Sequence, residues 1–196
     1  MNRYKPASSA DMPTIKQLEA ESEICKHKSR FRKVLKNTIF TLITVSAAAV
    51  LIAALLLPVL RIYGTSMDPT LSEGDIVISV KSSSFETGEV VAFYYNNKIL
   101  VKRVIAHPGD WVDINEDGIV FVNDQKLSEP YVSEFSLGDC DIELPYQVPE
   151  SRLFVMGDHR DVSVDSRNTS VGCVAEEQIV GKIVFKVWPL SGFGKV

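Results

Sequence analysis

Residues 37–60 read NTIFTLITVSAAAVLIAALLLPVL, a 24-residue window without a charged side chain in which 18 residues are Ala, Val, Ile, Leu or Phe. As a helix this window would be roughly 36 Å long, enough to cross a hydrocarbon core of about 30 Å with modest tilt. Thr38, Thr41, Thr44 and Ser46 are its main polar interruptions, and their hydroxyls can bond back to helical carbonyls. A buried core helix of a soluble protein seldom carries so long an uncharged run. A cleavable secretion signal would fall within about the first 15–30 residues and have a shorter apolar stretch. Here 36 residues precede the run. Residues 37–60 are therefore expected to form a permanent transmembrane helix.

The charges on either side orient it. Residues 1–36 carry nine Lys/Arg against four Asp/Glu, a net of +5, and residues 61–196 carry twelve against twenty-one, a net of −9. The positive-inside rule places the basic tail, 1–36, in the cytoplasm and residues 61–196 outside. Lys26, Lys28, Arg30, Arg32, Lys33 and Lys36 crowd the inner flank, where they also meet anionic lipid. Such a cluster beside a span is a topology signal, and the acidic remainder speaks against a nucleic-acid partner. Thr14-Ile-Lys-Gln17 has capping-box spacing, so the tail is expected to hold one short helix. Cys25 falls on the reducing side, while Cys140 and Cys173 fall where disulfides can form. Their spacing leaves bridged and free states both open. No Cys or His spacing suggests a metal.

From Gly74 onward, short β-branched and aromatic runs alternate with turn residues. Asp75–Val80, Glu89–Tyr95, Ile99–Ile105, Trp111–Ile114, Ile119–Val122, Arg152–Met156 and Ile179–Val187 all read as strands. The fold class expected is mainly β: a single N-terminal transmembrane helix followed by an all-β domain over 61–196. Asp113-Ile-Asn-Glu-Asp-Gly118 matches the opening of a calcium loop, but strand-like flanks replace the helices such a loop needs. A tight turn with Gly118 at positive φ is the better reading.

Three segments carry chemistry. Gly64-Thr-Ser-Met-Asp-Pro-Thr-Leu71 sets a serine just past the span, and taken alone it reads as a turn leaving the membrane. Val101-Lys-Arg-Val104 sets a lysine inside an apolar run, a costly place for a charge. Gly157-Asp-His-Arg-Asp-Val-Ser-Val-Asp-Ser-Arg-Asn168 crowds Ser, Asp and Arg into one loop after a strand. A lysine whose pKa stays near 10.4 cannot serve as a base at neutral pH. Desolvation among apolar side chains lowers that pKa and leaves a neutral amine able to activate a serine.

Together these segments resemble bacterial type I signal peptidases of the compact Gram-positive kind. The resemblance rests on the span, Ser66-Met-Asp-Pro-Thr-Leu71, Gly74-Asp-Ile-Val77, Lys102-Arg-Val-Ile-Ala-His-Pro-Gly-Asp110, and Gly157-Asp with Ser163-Val-Asp-Ser-Arg167. Phe121-Val-Asn-Asp, Glu129-Pro-Tyr131 and Gly181-Lys-Ile-Val-Phe-Lys-Val-Trp-Pro189 extend it. It implies a Ser–Lys endopeptidase that removes N-terminal signal peptides from exported preproteins, with no cofactor and no metal. Carried over by position, Ser66 is the nucleophile and Lys102 the general base. Ser163 orients the lysine, and Asp158, Asp165 and Arg167 support the loop electrostatically. The implied partners are signal peptides of secreted preproteins, the lipid bilayer and the export translocase, and the implied location is the bacterial cell membrane.

Gly64 stands where some members have a serine thought to help bind the oxyanion, so the donors here are expected from the backbone, Ser66 N–H among them. Ile62, Met67, Leu71, Leu100 and Val101 are the expected wall of a shallow apolar pocket that admits only small residues. An extended substrate would add a strand to an exposed edge. His107 lies before Pro108-Gly109 in a turn, and His159 stands where the family commonly has Asn. The histidine-using branch of the family places its base at the lysine position, which is Lys102 here. A self-cleaving repressor would need a DNA-binding helical domain and no span. A tethered binding module without catalysis is the other reading, separable with a serine-reactive probe.

Overall fold

The computed structural model describes residues 14–56 and 58–196; the first thirteen residues of the basic tail and Leu57 of the expected span lie outside the described residues. The chain divides into two units, 1–53 and 54–196.

The described part of the first unit is helical. Helix α1 runs unbroken over Ile15–Leu56, about 63 Å at 1.5 Å per residue. It starts where the capping box predicts: the Thr14 N–H and hydroxyl both donate to Gln17 Oε1, at 2.9 and 3.0 Å. Instead of ending as a short separate element, it continues into the apolar run, because nothing between Lys16 and Asn37 breaks a helix. Within that run the Thr41 and Thr44 hydroxyls donate to the carbonyls four residues back, at 2.9 Å each. Side chains over Ile15–Ile52 are exposed, and this is the one helix among the described residues long and apolar enough to cross a bilayer.

The far boundary differs from the expected Leu60. The helix stops at Leu56, and Val59 and Leu60 belong to a strand. Pro58 accounts for this, since proline disfavours the helical conformation of the residue before it and has no N–H to donate.

The second unit is built from antiparallel β-strands. In chain order they are β1 (Val59–Arg61), β2 (Ile76–Val80), β3 (Val90–Tyr95), β4 (Lys98–Ala106), β5 (Trp111–Ile114) and β6 (Val120–Val122). There follow β7 (Gln125–Lys126), β8 (Tyr146–Gln147), β9 (Arg152–Met156), β10 (Val174–Ala175), β11 (Ile179–Trp188) and β12 (Gly194–Lys195). Eight strands form one sheet in the order β1-β2-β11-β3-β4-β9-β10, with β12 on β11, and four form a second in the order β7-β6-β5-β8. All seven predicted strands are present. The five not foreseen have only two or three residues each, too few for a period to show.

Two features of the large sheet position the site. Strand β1 is an edge, paired only with β2. Strand β4 pairs with β3 from Lys98 to Arg103, but its β9 partner begins only at Arg103. Lys98–Lys102 therefore present a second open edge. Beneath β1, Ile62, Met67, Leu71, Val77, Val90, Ala92 and Ile183 form one core cluster. Gly118, at φ +78°, closes the β5–β6 turn, where Asn115 Oδ1 accepts the Ile119 N–H. Cys140 and Cys173 are unbridged.

Candidate active site

Ser66 opens the turn that follows β1. The turn is tied internally by Asp68 N–H to Thr65 O (3.1 Å) and Leu71 N–H to Met67 O (2.9 Å). Met67 and Leu71 sink into the core cluster and fix which way the turn faces. Lys102 lies on β4 and is only 3% exposed. Its Nζ is 2.7 Å from Ser66 Oγ. Two residues 36 apart in sequence thus meet at hydrogen-bond distance.

Burial pushes the Lys102 pKa down from 10.5 to about 8. The nearby carboxylates of Asp165 and Asp158 pull it upward, and Arg167 reinforces the fall. Desolvation wins, and the amine is largely neutral at mildly alkaline pH.

The loop after β9 supports this pair through buried ions. Arg167 donates to Asp165 through Nε and Nη2, both at 2.9 Å, and to the carbonyls of Ser136, Leu137, Arg160 and Ser163. Burial alone would raise the Asp165 pKa; Arg167, the Ser163 hydroxyl and the Gly157 N–H donate to its carboxylate and hold it below the ordinary value. Asp158 has a different partner. Arg103 grips it through Nε at 2.8 Å and Nη2 at 2.6 Å, and the Thr70 hydroxyl donates to it at 2.5 Å. The Arg103 guanidinium also lies 3.9 Å from the centre of the Tyr131 ring. A third buried pair, Arg160–Glu129, braces the loop from behind. Among the described residues no buried side-chain polar atom lacks a partner.

Ser163 sits within this cluster, but its hydroxyl donates to Asp165 Oδ2 at 2.6 Å. Among the described residues no hydrogen bond joins it to Lys102, the partner the resemblance implies. That donation to a charged carboxylate is a short, charge-assisted hydrogen bond. Gly157 is the unforeseen contact point: a methyl group there would overlap both the Ser163 side chain and the Ser66 carbonyl oxygen. Arg103, Thr70, Glu129, Tyr131 and Arg160 also went unassigned. Arg103 carried a signal as a second cation in an apolar strand, while Thr70, Glu129 and Tyr131 lie in segments that carry the resemblance and Arg160 lies in the charged loop.

A cleft of about 810 Å³ lies between the two open edges. Ile62, Gly64, Ser66, Met67, Leu100, Val101 and Lys102 line it. Leu71 does not; it is fully buried in the core below. Gly64 has φ +82°, and a Cβ there would face open space. Among the described residues nothing accepts from the Ser66 N–H. His159 donates its backbone N–H to Ser66 O at 3.2 Å, and its ring Nδ1 is 3.3 Å from Thr65 O. His107 is bound to Phe85 O at 2.7 Å in the Pro108-Gly109 turn.

The family model for signal peptidase, peptidase S26, matches residues 35–188. Signal peptidase IB of Staphylococcus aureus is 40% identical over 152 residues, covering 67% of this chain and 78% of that protein. Thylakoidal processing peptidase 1 of Arabidopsis thaliana is 37% identical over 169 residues, covering 78% of this chain and 47% of that protein. A crystal structure of a signal peptidase I from Enterococcus faecalis aligns with a TM-score of 0.42 and 27% identity, over 52% of this chain and 98% of that one. With the family model spanning most of the chain, this protein belongs to the signal peptidase family, peptidase S26, whose members are serine peptidases that remove signal peptides.

Proposed function

We propose that the protein is a membrane-anchored Ser–Lys endopeptidase in which Ser66 attacks and Lys102 is the general base. The observation that carries this reading is the 2.7 Å approach of Lys102 Nζ to Ser66 Oγ in a site that leaves the lysine 3% exposed. The neutral amine takes the Ser66 hydroxyl proton as Oγ bonds to the scissile carbonyl carbon. The ammonium then returns that proton to the leaving amine, the C–N bond breaks, and the signal peptide is held as an ester on Ser66. Water activated by the same amine hydrolyses the ester and restores both groups. The free Ser66 N–H is the first oxyanion donor, and Gly64 keeps the approach open. Asp165, Arg167, Asp158 and Ser163 hold the lysine's surroundings fixed.

The substrate binds extended, as an added strand against the open edges of β1 and Lys98–Lys102. Alternate side chains of a strand face one way, so the residues first and third before the scissile bond enter the apolar wall formed by Ile62, Met67, Leu100 and Val101. Helix α1 crosses the membrane through its apolar run, its basic part inside and the β-domain outside, beside the export translocase. Anchoring enzyme and preprotein in one bilayer raises their effective concentration. The test is cleavage of preproteins altered at those two positions, followed by mass of the new N-terminus. Ala at both is expected to support cutting; efficient cutting after Phe or Leu would refute the pocket.

A further inference from the structure

Lys186 lies outside the Ser–Lys site, on β11, and the reading of the reaction above gives it no part. Its Nζ donates to Asp75 Oδ2 at 2.9 Å and to the Thr70 carbonyl at 3.2 Å. The Lys186 side chain is 18% exposed and that of Asp75 6%. Asp75 in turn accepts the Ser72 N–H at 3.0 Å. Thr70 and Ser72 close the turn that Ser66 opens, so the lysine grips the far end of the nucleophile's own turn.

Two further features show that the fold is shaped around this contact. The pairing of β11 with β2 slips on both sides of Lys186, between Ile183 and Phe185 and again between Lys186 and Trp188. Such irregularities re-aim side chains. Gly192 packs on the stem of Lys186, where an added Cβ would lie 3.3 Å from Cε. Thr70 is meanwhile held from the other side, its hydroxyl between Asp158 at 2.5 Å and Arg103 at 3.2 Å. Its side chain is thus tied to one ion pair and its carbonyl to another.

We propose that Lys186 is a positioning residue for the peptidase reaction, holding the Thr70–Asp75 end of the turn so that Ser66 Oγ stays in reach of Lys102. The inference rests on the Ser66–Lys102 reading of the site. Releasing this end leaves the cleft and its edges intact but lets the nucleophile drift, and misplacement of about 1 Å costs up to about 100-fold. Rate per active molecule should therefore fall while substrate affinity holds.

The experiment compares the full-length parent with Lys186→Met, Lys186→Arg, Asp75→Asn and the Lys186→Met/Asp75→Asn double variant in detergent. Each is titrated with a serine-reactive phosphonate to count active Ser66, then assayed on a preprotein. Lys186→Met should lower kcat per titrated serine by about tenfold, with KM within about twofold. Lys186→Arg, which keeps a donor, should recover most of the rate. The double variant should be no slower than Lys186→Met alone, since both changes break one link. If Lys186→Met lowers only the melting temperature or the fraction titrated, with kcat per serine unchanged, Lys186 merely stabilises the fold and the proposal fails. Should Lys186→Met not fold, Asp75→Asn is judged by the same criterion. Ser66→Ala serves as the separate control: if it still cuts, the underlying site assignment fails, whatever Lys186 does.

Discussion

The proposed mechanism turns on one titration, that of Lys102. Its pKa lies near 8 because burial disfavours the ammonium more than Asp165 and Asp158 favour it. As the proposed general base, Lys102 must be neutral to act, so on that reading turnover should fall tenfold per pH unit below about 8 and level off above it, which a pH–rate profile of kcat/KM checks. The same shift has a stability consequence. Between about 8 and 10.5 the unfolded chain holds a proton at this lysine that the folded chain has lost, so stability rises with pH across that window. Below it the folded protein bears the cost of a buried charge. Lys102→Met should thus raise stability at pH 7, by roughly 1–3 kcal/mol, and the gain should shrink toward pH 10.5. Thermal unfolding of both proteins at the two pH values measures it.

The turn that follows β1 and the loop after β9 meet over Gly157. With the Ser66 carbonyl on one side and Ser163 on the other, Gly157→Ala forces the two elements apart. It should cost about 1–3 kcal/mol of stability and reduce cleavage far more than that loss explains, which turnover corrected for folded fraction would show. At this scale the sequence was readable where a pattern is local. Seven strands, the Thr14 cap and the Gly118 turn all followed from spacing and turn chemistry. The end of α1 at Leu56 was misjudged because hydropathy runs through Pro58 while the backbone cannot. Leu71 was misplaced in the pocket because apolarity does not tell a wall from the core beneath it. The partners of the buried ions were unreadable for another reason. Asp158 sits nine residues from Arg167 in sequence, yet it binds Arg103, 55 residues away, and only the pairing of β4 with β9 decides that.

Over the whole molecule, the division of charge and hydropathy carried the architecture: a basic segment, an apolar run and an acidic β-domain. The motifs are scattered along the chain, and the sheet brings them together. Ser66 comes from the turn after the edge strand, Lys102 from the half-paired part of β4, and the supporting loop from the end of β9. The wall residues Ile62, Met67, Leu100 and Val101 were legible as an apolar pocket, but its place between two unpaired edges was not, because an edge is a property of the sheet and not of any strand. The central claim is that one serine and one lysine do the work in this arrangement. Its most direct measurement is incubation of a preprotein with the detergent-solubilised parent, Ser66→Ala and Lys102→Met proteins, followed by mass determination of the mature N-terminus. The account predicts a single new N-terminus after a small residue with the parent, and none with either variant although both remain folded. Cleavage at the same bond by folded Lys102→Met would contradict it.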